Sequence, residues 1–161
     1  MIFRILLICS LFFISCSDKK SSTSETNKFK VSNLNGYVND EFFKLNKLDS
    51  TKLEEFDSWI NIMNVYSKFN SFDLQQIDHK SIISSIKSDL EKITTNNIPQ
   101  PFNRPEIIGR LRVLKTFVYK IESYNLNKES VDIYKSDLNL MFLSYNALIS
   151  KMNSIDINLI P

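Results

Sequence analysis

The sequence predicts an all-α fold, a four-helix up-down bundle behind a signal peptide and a flexible tether, and three observations predict it. From about residue 50 onward, apolar residues recur at helical spacing. Only 2 Gly and 4 Pro occur in 161 residues, too few for the frequent turns of a β-sandwich or barrel. The apolar stripes fall into four segments joined by short links, as a bundle requires.

Helix one is expected from Thr51 to near Phe69. Ser50 or Thr51 can cap it, and Thr51 with Glu54 reads as a capping box. Its apolar face is Leu53, Phe56, Ile60 and Met63, flanked by Trp59, Ile62, Tyr66 and Phe69. Helix two is expected from about His79 to Thr95, capped by Asp78, with the stripe Ile82, Ile83, Ile86, Leu90 and Ile93. Pro99 and Pro101 should hold the next link extended, and Pro105 suits the first turn of helix three. That helix runs to about Tyr124 with Ile107, Leu111, Leu114, Val118 and Ile121 inward. Helix four runs from about Lys128 to Met152 behind an Asn127 cap. Its seam of Val131, Tyr134, Leu138, Met141, Tyr145, Leu148 and Met152 alternates by three and four.

Three regions precede or make up the domain. Residues 1–15 have the parts of a secretory signal: Arg4, an apolar run from Ile5 to Ile14, and the small Ser15. Ten apolar residues are too few to cross a bilayer core, which takes roughly 20. Residues 16–33 are rich in Ser, Thr, Lys and Asn and read as a tether. Residues 34–161 form the helical domain. Within it, residues 34–49 either make a short helix started by Asn39 or Asp40, or dock on the bundle through Phe42, Phe43, Leu45 and Leu48.

Phe13-Ile14-Ser15-Cys16 resembles a lipobox, the cleavage motif of bacterial lipoproteins, with Phe13 where Leu is usual. The resemblance covers about the first 17 residues. It implies that the chain is cut before Cys16 and that Cys16 is acylated, palmitate being a typical chain. Two or more acyl chains anchor a protein stably, at ~0.8 kcal/mol per buried methylene. The anchor makes the membrane the first expected partner. Ser17 rather than aspartate after the cysteine implies, by the same resemblance, the periplasmic face of the outer membrane rather than the inner membrane or cell surface.

Few chemistries are available to the domain. The cysteines are Cys9, inside the signal, and Cys16. No disulfide, thiolate metal site or cysteine nucleophile is therefore expected. His79 is the single histidine, and neither a Glu-x-x-His nor a His-Glu-x-x-His pattern occurs. Its place beside Asp78 suits a structural or exposed first-turn residue. Glu54, Glu55 and Asp57 suit the macrodipole at a helix start. No catalytic set, metal or cofactor is expected. A formal net charge of +2 gives no general attraction to nucleic acid.

The arginines are more informative. Arg104, Arg110 and Arg112 are the only ones after Arg4. Arg110 falls within the apolar arc of helix three, so a carboxylate partner is expected, either Glu106 or Asp137. A register-fixing ion pair is one reading; capture of an anionic ligand is the other. Gly109 sits mid-helix, where close approach of a neighbouring helix or of the proline-rich link would offset its cost of ~1 kcal/mol relative to Ala. On helix four, Ile133, Leu140, Leu143 and Ala147 lie opposite the main seam. Either residues 34–49 or the C-terminal Ile155–Ile160 cover them, or they form a partner surface.

The stretch from Pro99 to Leu114 looks like small helical lipoproteins of the Bacteroidota that have no assigned activity, over roughly residues 50–150. The expectation is a lipid-anchored, non-enzymatic envelope protein whose domain binds another envelope protein or plays a structural part. The alternative is a binder of a small apolar or anionic ligand inside the bundle, using its aromatic residues and Arg110.

Overall fold

The structure, a computed structural model, describes residues 44–72, 79–125 and 131–156. The expected signal peptide, Cys16 and the tether lie outside these residues. So do the expected caps Asp78 and Asn127, the helix start at Asn39 or Asp40, and residues 157–160 of the C-terminal segment. Of His79 and Val131 only the helical backbone is described.

The described residues are all-helical, without a strand. Five α-helices follow one another: α1 Leu53–Asp57, α2 Ile60–Asn70, α3 His79–Lys92, α4 Pro105–Ser123 and α5 Val131–Asn153. Short 3-10 turns precede α1 (Ser50–Lys52) and occupy the α3–α4 link (Thr95–Asn97, Gln100–Phe102).

The expected single helix from Thr51 to Phe69 is two helices broken at Ser58–Trp59. Trp59 leaves the helical region at φ −106°, ψ 68°. Phe56, Trp59, Ile62, Val65 and Phe69 are buried as a result. Steps of three drift by about 60° each on a straight α-helix, so the break is what returns these side chains to one face. It also turns Leu53 and Ile60, two of the expected core residues, to the surface. Neither Ser50 nor Thr51 is the cap. Asp49 caps the 3-10 turn that leads into α1, accepting from the Thr51 amide at 3.0 Å and its hydroxyl at 2.7 Å, and α1 itself follows Lys52 without a side-chain cap.

The α3–α4 link is not simply extended. Pro99 is extended, but Pro101 lies within a 3-10 turn that drives Phe102 into the core. There Phe102 stacks on Phe56 at 5.3 Å and on Trp59 at 5.7 Å between ring centroids. Thr94 and Asn97 close the preceding turn as a reciprocal capping box. Pro105 takes the first position of α4, as its fixed φ favours.

The remaining inward stripes follow the periodicity. Ile83, Ile86, Leu90 and Ile93, then Ile107, Leu111, Leu114, Val118 and Ile121, are buried. So are Tyr134, Leu138, Met141, Tyr145, Leu148 and Met152. Consecutive helices pack in order, α2 on α3, α3 on α4, and most extensively α4 on α5. Phe69 of α2 stacks on Tyr145 of α5 at 4.2 Å, joining the first long helix to the last.

Gly109 has no neighbour within 4 Å of where a Cβ would stand. The close approach expected there is absent, and its small size is not used for packing.

Candidate interaction surface

Residues 44–49 form no helix; they dock as a strap along the C-terminal half of α5. The Asn46 amide donates to Asn146 Oδ1 at 2.8 Å, and the Asp49 amide to Asn153 Oδ1 at 2.9 Å. The strap therefore runs in the same direction as α5. Leu48 is buried and Leu45 partly so. Lys52 then caps the far end of α5, donating to the carbonyls of Asn153 at 2.7 Å and Ile155 at 2.8 Å. A cation at a helix C-terminus meets its negative pole.

The strap does not cover the outer face of α5. Ile133 is 58%, Leu140 40% and Leu143 48% exposed, and Ala147 is exposed with them. With Ser136 and Ser150 they form a second line of three-four spacing, which is the geometry by which one helix receives another. The polar edge of Asn146 and Asn153, hydrogen-bonded to the strap, bounds it on the strap side. Buried Asp137 and Ser144 bound it on the α4 side. Other large exposed apolar residues, Leu53, Ile60, Val113 and Tyr119, stand on other helices and make no such line.

Arg110 does not pair with either expected carboxylate. It is half-buried, and its guanidinium donates to the Glu106 main-chain carbonyl at 3.1 Å, while the Glu106 side chain is exposed. Asp137 is taken by residues about three and four turns beyond Arg110: Lys120 of α4 donates to it at 2.9 Å, and so does the hydroxyl of Tyr124, just past the end of α4. The long guanidinium stem reaches the surface within its own helix, so no desolvated charge is left to neutralise. The bond to Asp137 favours the neutral phenol of Tyr124 and raises its pKa; the same carboxylate raises that of Lys120.

A second buried carboxylate went unnoticed in the sequence. Asp89 of α3 accepts from Lys68 of α2 and from Lys92 at 2.7 Å. Burial opposes its charge, but the two lysines outweigh burial and hold its carboxyl below the usual range. Each clamp ties one helix to its predecessor. Their carboxylates are already saturated by lysine and tyrosine, which suits fixing helix register rather than general acid–base work.

The aromatic residues that an internal ligand would need pack on one another. Besides the Phe69–Tyr145 stack, Phe142 meets Phe69 at 6.0 Å and Phe72 at 5.4 Å edge-on, and Tyr124 meets Tyr134 at 5.5 Å. Burial raises the pKa of both Tyr134 and Tyr145. Among the described residues, two buried side-chain polar atoms have no hydrogen-bond partner, Trp59 Nε1 and Asn139 Oδ1. Among the described residues, no three His, Cys, Asp or Glu side chains gather as a metal site, and no helix is long and apolar enough to cross a membrane.

No protein-family model, curated protein or solved structure matches the chain at a significant level.

Proposed function

We propose that the chain is a lipid-anchored, non-enzymatic protein of the bacterial cell envelope, and that the outer face of α5 is where its domain receives another envelope protein. The exposed line Ile133, Leu140, Leu143 and Ala147 carries the reading. An apolar line at heptad spacing, bounded on both sides by satisfied polar groups, has the form of a helix-docking surface. The lipobox-like Phe13–Cys16 supports the anchor, and Ser17 favours the periplasmic face of the outer membrane.

The domain itself we read as a four-helix up-down bundle in which α1 and α2 together make the first arm. Packing of consecutive helices and the Phe69–Tyr145 stack between first and last arms support that arrangement.

Two experiments test the proposal. Growth with labelled palmitate should label the wild type and leave Cys16→Ser unlabelled and released from the membrane fraction. Cross-linking in intact cells should trap an envelope protein with the wild type, with little recovered from Leu143→Lys. An unlabelled wild type overturns the anchor. Equal recovery with Leu143→Lys overturns the surface.

A further inference from the structure

The outer line of α5 has the same form from either end. Its midpoint falls between Met141 and Phe142. Leu140 and Leu143 flank that point, and the small Ser136 and Ala147 stand equally far out on either side. Ile133 and Ser150 close the line, again at equal distances. All six residues are exposed.

The charges at its two ends are opposite. Eighteen residues make about five turns, so Asp132 lies on the side of α5 that bears Ser150, and Lys151 on the side that bears Ile133. Asp132 and Lys151 are as evenly placed about the midpoint as the apolar residues are. The Asp132 side chain is 93% exposed, with Lys135 beside it at 3.7 Å. Between these two ends the line carries no charge.

An isologous interface needs this symmetry, because one patch meets its own copy across a two-fold axis. Antiparallel copies of α5 that share the midpoint bring residues equally distant from it to one level. Leu140 then meets Leu143 of the second copy, Ser136 meets Ala147, and the bulky Ile133 meets the small Ser150. Each Asp132 comes level with the Lys151 of the other copy, so the attraction occurs twice. A parallel pair would instead set Asp132 against Asp132 and Lys151 against Lys151, which repel. The strap adds a geometric condition. Its described part begins at Lys44, bonded to Asn146 on one flank of the line. The two-fold axis stands perpendicular to the antiparallel helices and keeps both straps on one face of the pair. Two chains anchored in one membrane require that.

We infer that the partner received by the outer face of α5 is a second copy of this chain, packed antiparallel about the point between Met141 and Phe142. The inference rests on the reading of this face as a docking surface, and it names the occupant.

Disulfide trapping of the full chain in its membrane tests it. Positions 136 and 147 are exposed, and within one helix they lie about 16 Å apart, beyond the reach of a disulfide. Mild oxidation of the double variant Ser136→Cys, Ala147→Cys should give about tenfold more covalent dimer than either single variant. The single variants keep Cys9 and Cys16 and so control for them. In the double-cysteine chain, Asp132→Lys should cut the yield severalfold, and adding Lys151→Asp should restore it. No covalent dimer from the double variant would overturn the second copy. Dimer from the single variants at the same yield would overturn the antiparallel register, and a yield that Lys151→Asp does not restore would overturn the charge pairing. A photoreactive residue in place of Leu143 separates this inference from the reading beneath it. An adduct with a different protein, without covalent dimer, overturns the second copy and keeps the docking surface; no adduct at all overturns both.

Discussion

Lys120 of α4 donates to Asp137 of α5 at 2.9 Å, and with Tyr124 on the other oxygen it fills the carboxylate that Arg110 was expected to use. The two helices that pack most extensively are therefore pinned through a lysine and a tyrosine near the end of α4. Asp137→Ala should lower stability by about 1–3 kcal/mol, the worth of its charge-assisted bonds. Arg110→Ala should change it by no more than about 0.5 kcal/mol, as expected of a side chain bonded only within its own helix. Urea melts of the two variants check the contrast; a larger loss for Arg110→Ala would contradict this assignment.

The two clamps give stability a pH dependence of opposite sign at the two ends of the scale. Asp89 has a folded pKa below its ordinary 3.8. The stability it adds is complete above that value and is lost as pH falls through the folded one. Lys120 and Tyr124 have folded pKa values above their ordinary 10.5 and 10.0. Their contribution is complete below those values and is lost as pH rises through the raised ones. Thermal melts across pH should show both limbs. Asp89→Asn should reduce the acid limb, and Asp137→Asn the part of the alkaline limb that Lys120 and Tyr124 supply.

Gly109→Ala should stabilise the domain by about 0.5–1 kcal/mol. The position is helical and exposed, and a Cβ there meets nothing within 4 Å. A melting temperature that falls would show that something occupies the space beside α4.

The strap should come loose one rung at a time. Asn146→Ala removes the acceptor for the Asn46 amide and the donor to the Lys44 carbonyl. It should cost about 1–2 kcal/mol and speed tryptic cleavage after Lys44 and Lys47, both exposed. Asn153→Ala should act chiefly at Lys47. Unchanged cleavage in both would mean that Leu45 and Leu48 hold the strap unaided.

What could be read from the sequence was whatever repeats at the helical period. The described stripes of α3, α4 and α5 are buried largely as expected, Ile82 only partly, because the helical period sets which side of each helix meets its neighbours. The break at Trp59 was not legible, since Leu53, Phe56, Ile60 and Met63 fit a continuous helix just as well. It is set from afar, by Phe102 arriving from the α3–α4 link to stack on Phe56 and Trp59. Arg110 misled for a related reason: a wheel gives its angle, whereas the length of its side chain decides where the charge ends. Asn139, Asn146 and Asn153 carried a visible heptad signal. The partners of Asn146 and Asn153 are backbone groups of the strap, which have no sequence signature.

The outer face of α5 is the centre of this account, and site-specific photo-cross-linking in intact cells tests it most directly. A photoreactive residue in place of Leu143 should yield one discrete adduct with an envelope protein. The same residue in place of Val113, an exposed apolar position on α4, should yield none. No adduct from position 143, or the same adduct from both positions, would contradict a docking surface on α5.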